Sequence, residues 1–120
     1  MEARASIWNV PIAPRKARLV ADLIRNLHIK DALDQLAFTH KAASPVIRKL
    51  IRSAVANAQY REPNIDESNL FIKKILVDDG MTRKWIRPRA RGIANQILHR
   101  KCHITVVLDE EQEKNVKRET

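Results

Sequence analysis

The 120-residue chain has a single cysteine, Cys102, which excludes an internal disulfide and leaves a thiolate-rich zinc site without ligands. Two glycines are too few for a collagen-like or Gly-rich linker architecture. No run approaches the roughly 18 apolar residues that span a bilayer. The opening Met-Glu-Ala-Arg-Ala-Ser lacks the apolar core of a secretory signal. Catalytic signatures are missing too: there is no Gly-rich phosphate loop and no nucleophile elbow, and Asp78-Asp79 has no paired base. These absences point to a soluble, intracellular, non-enzymatic domain.

The most informative absence is local. Residues 81–103 contain seven Lys or Arg and not one Asp or Glu. The whole chain carries 23 basic and 14 acidic residues, a net charge of +9, and a pI near 10.2, so this window holds most of the excess. A basic run is often only a solvated face. Clustered cations without counter-charges repel one another unless an anion neutralises them, and stable surfaces usually mix both signs. The window therefore points to a polyanion partner. A hydrophobic fraction of 44% is enough for one modest core beside it.

Alternation and turn residues predict a strand over 3–12, closed by Pro11 and Pro14. Pro14 then opens a helix over 14–26, with Ala17, Val20, Leu23, Ile24 and Leu27 at helical spacing and Arg15, Lys16, Arg18 and Arg25 on its polar side. A short second helix is expected over 30–38. A third has Ser44 as N-cap and Pro45 as first helical residue. Its apolar stripe includes Ile47, Leu50, Ile51, Ala54 and Ala58, and the small alanines invite close approach of another element. Residues 62–69 read as a loop and 70–77 as a strand. Asp78-Asp79-Gly80 reads as a bend or bulge, and 97–108 as a further strand. On that last strand Cys102, Ile104, Val106 and Leu108 share one face, with His103, Thr105 and Val107 opposite. His99 and His103 thus lie away from Cys102, which argues against a metal site. His103 reads as a polar contact and Cys102 as a buried small hydrophobe.

The two strands joined through 80–97 make a hairpin too long to be only a turn. Eight or nine residues per arm would carry its tip about 25–30 Å from the body. An isolated ribbon is marginal in water, and a cationic one repels itself, so binding should hold it in shape. Pro88 is expected to set the bend at its tip. Trp85 would stack on a base or pack on neighbouring protein, whereas Trp8 reads as ordinary sheet-and-core packing.

Five blocks carry a resemblance: Ile12-Ala13-Pro14-Arg15-Lys16-Ala17-Arg18-Leu19-Val20-Ala21-Asp22-Leu23-Ile24-Arg25, Ser53-Ala54-Val55-Ala56-Asn57-Ala58, Val77-Asp78-Asp79-Gly80, Arg87-Pro88-Arg89-Ala90-Arg91-Gly92 and His103-Ile104-Thr105-Val106-Val107-Leu108. In this order and spacing, over about residues 4–108, they resemble the bacterial-type large-subunit ribosomal protein twenty-two family. The resemblance implies an α+β fold, with three helices packed on a small three-stranded antiparallel sheet and a long protruding β-hairpin. One RNA-binding domain would span 1–108, including the hairpin at about 80–97, and 109–120 would form a charged tail.

Further implications concern partners: large-subunit ribosomal RNA, neighbouring large-subunit proteins and the nascent peptide in the exit tunnel, with no cofactor, metal or membrane span. The setting would be a cytoplasmic or organellar ribosome. Arg15, Lys16, Arg18, Arg83, Lys84, Arg87, Arg89, Arg91, Arg100, Lys101 and His103 are the expected RNA contacts. Trp85, Ile86, Arg87, Pro88, Arg89, Ala90 and Arg91 would form the hairpin end at the tunnel. There are departures: Ala13 replaces a frequent serine cap, Ile93-Ala94 replaces Arg-Ala, and Trp85 stands where a basic residue is common. The rival reading is a free-standing nucleic-acid-binding regulator, and a membrane-surface protein is a weaker one. Both would favour a recognition or amphipathic helix over a basic ribbon.

Overall fold

The computed structural model describes residues 2–110. Along the chain it forms β1 (Glu2–Val10), α1 (Pro14–Ile24), α2 (Ile29–Phe38), α3 (Ala43–Arg61), β2 (Leu70–Asp79), β3 (Arg83–Pro88), β4 (Ala94–His99) and β5 (Cys102–Glu110). A three-stranded antiparallel sheet has the order β1-β5-β2, and β3 pairs with β4 in a separate two-stranded ribbon. The three helices and the antiparallel strands make the expected α+β fold.

Alternation on β5 produces the core. Cys102, Ile104, Val106 and Leu108 are fully buried, because β5 is central and their shared face meets the helices. From β1, Ala3 and Ala5 point the same way, and Ala54 and Ala58 of α3 lie over them, all buried. Four small side chains let α3 sit close to the sheet, as the alanine pattern anticipates. α1 adds Ala17, Val20, Ala21 and Ile24, and α2 adds Ile29, Ala32 and Leu36.

Two bulges adjust the sheet. Between Ile72 and Lys74 the β2·β5 register slips by one residue, so Leu70 and Ile72 face the core before the bulge and Ile75 and Val77 after it. One extra residue reverses the alternation and keeps both apolar pairs inside. The bulge expected at Asp78-Asp79-Gly80 lies here instead, and β2 continues through Asp79. A second slip separates Ile7 from Val10 on β1, where Asn9 adopts φ +57°, a left-handed geometry Asn tolerates. Trp8 consequently lies on the outer face, 69% exposed, which corrects its reading as core packing.

Other boundaries shift for local reasons. α1 ends at Ile24 because Arg25 is extended and Asn26 turns with φ +68°. This reversal lets Asn26 N–H donate to Ile72 O at 3.1 Å and Leu27 O accept from Ile72 N–H at 2.9 Å. α3 starts at Ala43, so Ser44 is not its cap but a helical residue, 3% exposed. Pro45 still falls in the first turn, where a missing N–H is tolerated. Asp109 and Glu110 belong to β5, so the domain runs past 108; the remaining tail lies outside the described residues.

Both edges of the sheet are covered from the helices. On β2, Arg25 Nη2 donates to Ile75 O at 3.0 Å and Arg18 donates to Val77 O through Nε and Nη2. On β1, Asn57 Nδ2 donates to Arg4 O at 3.0 Å and Arg61 Nη1 to Glu2 O at 2.9 Å. Unpaired edge carbonyls invite pairing with another chain, and here helix side chains occupy them.

Two predictions concern stability. Ala13 is the N-cap of α1 and provides no side-chain cap, so Ala13→Ser should raise stability by about 1 kcal/mol in chemical denaturation. Lys73, at the bulge, pairs with Glu2 and lies 3.7 Å from Asp109. The hydrogen bond and charge of Lys73 lower the Glu2 carboxyl below its ordinary 4.5, and the same pairing raises Lys73 above 10.5. The pair's small contribution is therefore present between those values. It fades as pH falls through the lowered Glu2 value or rises through the raised Lys73 value. Thermal melts of Lys73→Met should show a weaker pH dependence at both limits.

Candidate nucleic-acid interface

The two chain segments that form β2·β5 continue into the ribbon. The sheet ladder ends with Asp79 opposite Cys102, and the ribbon ladder begins with Arg83 opposite His99. Between them Gly80 N–H donates to Lys101 O at 2.8 Å. A Cβ on Gly80 would lie 3.0 Å from that oxygen, so glycine here serves close approach rather than a bend. From residue 70 to 88 the strands run roughly 60 Å at about 3.3 Å per residue, and the molecule's long axis is 69 Å. The radius of gyration is 18.2 Å, against about 14 Å for a compact domain of this length.

The ribbon arms hold six residues each, fewer than the sequence suggests, because 80–82 and 100–101 form the junction. All of β3 is exposed, as is β4 apart from half-buried Ile97. Pairing sets Trp85 opposite Ile97 and Arg87 opposite Asn95. One face therefore carries Arg83, Trp85 and Arg87 with Asn95, Ile97 and His99, and the other carries Lys84, Ile86, Gln96 and Leu98. Trp85 meets His99 edge-on, with ring centroids 5.8 Å apart. The reversal is not at Pro88, which ends β3. It lies at Arg91 and Gly92, with φ of +62° and +71°, closed by Arg89 N–H donating to Ile93 O at 2.6 Å. Gly92 suits that geometry and Arg91 accepts it under strain. Ala90 lies in the same turn.

At the ribbon's root, cations from distant parts of the chain meet. A depression of about 460 Å³ is lined by Ala13, Pro14, Arg15, Lys16, Arg18, Asp79 and Arg100. An adjoining one of about 430 Å³ shares Ala13 and Arg100 and adds Pro11, Leu98, His99 and Lys101. Together they form a basic trough between the start of α1 and the β4–β5 junction. Arg18 contributes least to an external ligand. Its Nε and Nη2 donate to Val77 O, and Nη2 reaches Asp79 Oδ1 at 3.3 Å, which leaves mainly Nη1 free. It fixes α1 to the strand that feeds the ribbon.

His103 lies on the outer sheet face, apart from the trough-lining residues. Its Nδ1 accepts from Asn9 N–H at 3.0 Å and its ring centroid is 4.5 Å from that of Trp8. Cys102 faces the core on the opposite side. Burial pushes its thiol up, only partly countered by Arg18, while Asp79 adds to the rise. It is therefore a protonated, shielded thiol rather than a nucleophile. Among the described residues no group of three His, Cys, Asp or Glu is placed to hold a metal ion, and no helix is long and apolar enough to cross a membrane. Periodicity could not reveal that Arg15 and Lys16 line the same trough as Arg100, because that convergence joins distant parts of the chain.

A helix-backed sheet whose β2·β5 pair extends into an arginine-bearing, carboxylate-free ribbon defines a class: small cationic α+β proteins with a protruding basic ribbon. Comparison with known proteins narrows the class. Residues 5–109 match the family described as ribosomal protein L22p/L17e. The large ribosomal subunit protein uL22 of Leptospira biflexa serovar Patoc is 52% identical over 114 residues, covering 95% of this chain and 98% of the relative. The protein of the same name from Lactobacillus delbrueckii subsp. bulgaricus is 49% identical over 108 residues, covering 90% and 92%. The chain belongs to the ribosomal protein L22p/L17e family.

Burial of Cys102 has a direct consequence. At neutral pH a thiol-specific reagent in excess should modify it no faster than the protein unfolds, and at once in denaturant. Rapid labelling of the native chain, followed by absorbance, would contradict the placement.

Proposed function

We propose that this chain is a structural, non-catalytic constituent of the large ribosomal subunit that binds large-subunit ribosomal RNA through the ribbon and the trough at its root. The observation that carries this reading is the fate of the carboxylate-free window. From Arg83 to His99 the fold leaves it as an exposed ribbon with cations on both faces, and none of these cations is paired with an acid among the described residues. Ribosomal RNA offers phosphates, 2′-hydroxyls and unpaired bases to such an element. Arg83, Arg87, Arg89, Arg91 and Arg100 suit phosphate and base contact through planar donor forks, and Lys84 and Lys101 add point charges. Trp85, flanked by Arg83 and Arg87, presents an indole for stacking.

The family resemblance supports the finer part of the proposal. The ribbon end, from Arg83 to Arg91, reaches the wall of the peptide exit tunnel, where it meets the nascent peptide, while the body contacts neighbouring large-subunit proteins and aids RNA folding during assembly. The curated relatives are named large ribosomal subunit proteins and come from bacteria, which supports a place in a cytoplasmic ribosome.

If all seven cations of residues 81–103 meet phosphates, binding to a large-subunit RNA fragment should fall with a slope of about −5 to −6 in log K against log[salt]. Filter binding or fluorescence titration across salt concentrations measures it, and a flat response contradicts the phosphate contacts. Deletion of the ribbon end, 83–91, should leave the circular dichroism signature of the body intact and weaken RNA binding. Co-sedimentation of the full chain with large particles through moderate salt separates this role from a free-standing regulator.

A further inference from the structure

The outer face of the sheet, opposite the helices, holds an aromatic pair separate from the ribbon and the trough. Trp8 of β1 is 69% exposed, and one side of its indole leans on His103 of β5, with the ring planes tilted by 49°. The slip in the β1·β5 ladder leaves Asn9 unpaired in the register, and its N–H donates to His103 Nδ1 at 3.0 Å. A nitrogen that accepts carries no proton, so the neutral ring keeps its N–H at Nε2. The imidazole is thus fixed in orientation under an indole whose other side is open to solvent. Beside Trp8 the same face carries Ser6 and Thr105, whose hydroxyls bond each other at 3.1 Å. These short, mutually satisfied side chains make a low floor next to the indole, with room for a flat ring.

Position and charge select the occupant. Trp8 lies three residues before Pro11 and His103 two after Lys101, and Pro11 and Lys101 line the trough. An RNA strand held in the trough has only about 10 Å to travel to the indole, at about 3.3 Å per residue. Farther along the same face, Arg4 and Lys74 stand on either side of Val107, where they offer cations to a backbone beyond the base. The Glu2 and Asp109 carboxylates at that end are already held by Lys73. Asp78 stands opposite His103 on β2, and a carboxylate there disfavours a phosphate beside the aromatic pair but not an uncharged base. Single-stranded RNA fits this pattern, with an unstacked base on a sheet aromatic and the backbone tracking nearby cations.

We propose that Trp8, supported by His103, is a stacking platform for an unpaired base of the ribosomal RNA. The strand that carries this base leaves the trough and crosses the outer sheet face towards Arg4 and Lys74. The inference rests on the reading that the protein binds large-subunit RNA, and it adds a body contact made to a base rather than to a phosphate.

The test uses the full chain and a large-subunit RNA transcript. With Trp85→Phe, Trp8 is the sole tryptophan, and binding should quench its fluorescence and shield it from acrylamide. Quenching is read on the intact platform, so it decides the matter even where Trp8→Ala folds poorly. Trp8→Ala should weaken binding about 5- to 100-fold with the salt slope unchanged, because stacking neutralises no phosphate. Arg4→Gln should instead make that slope shallower by about one unit. Trp8→Phe should keep most of the affinity and Trp8→Leu should lose it; equal binding by these two would mean apolar burial without stacking and would overturn the platform. An unquenched Trp8 and full affinity in Trp8→Ala, with the wild type still steeply salt-dependent, would sink the platform but not the RNA reading. A flat wild-type response would remove both. If Trp8→Ala keeps full RNA affinity but enters large particles poorly, a neighbouring protein covers this face and the proposal fails.

Discussion

Two chain segments, 70–88 and 94–110, pair with each other first inside the body and then beyond it, and the handover falls where Gly80 approaches Lys101. Within the body this pair is covered by helices and packs Ile72, Ile75, Ile104 and Leu108 out of water. Past the handover the same backbone pairing continues without cover. The ribbon thus inherits its direction from a buried ladder while contributing almost nothing to the core. Cations are concentrated on the uncovered half, with no carboxylates between residues 81 and 103 to offset them.

Arginine has two separate duties in this fold. Arg18, Arg25 and Arg61 donate to strand carbonyls at the sheet edges, and Arg18 and Arg25 are further paired with Asp79 and Asp22. These side chains hold helices to strands and close edges that would otherwise seek other strands. Arg15, Lys16 and the ribbon cations have no such partners among the described residues. A count of positive charge therefore overstates the surface available to phosphate.

Most of the architecture could be read from local pattern. Pro14 marks the start of α1, the Ala54 and Ala58 spacing anticipates a close helix-sheet contact, and the alternation at Cys102, Ile104, Val106 and Leu108 identifies a half-covered strand. The failures share one cause. Trp8 looks like core until a bulge at Asn9 turns it outward, and Ser44 looks like a cap until the helix starts two residues earlier and buries it. Pro88 looks like the bend although the left-handed turn at Arg91 and Gly92 makes it. In each case a displacement of one to four residues changes which way the chain or a side chain points, and composition cannot register such a shift.

What the sequence determined alone was everything governed by near neighbours: the helices, the strands, their inward faces and the cation-only stretch at 81–103. Tertiary structure decided which cations meet. Arg15 and Lys16 join Arg100 because β5 returns the chain to the start of α1, and Arg18 is drawn into the scaffold because β2 presents a free carbonyl beside it. Periodicity is a property of adjacent residues, whereas convergence depends on how distant segments pack.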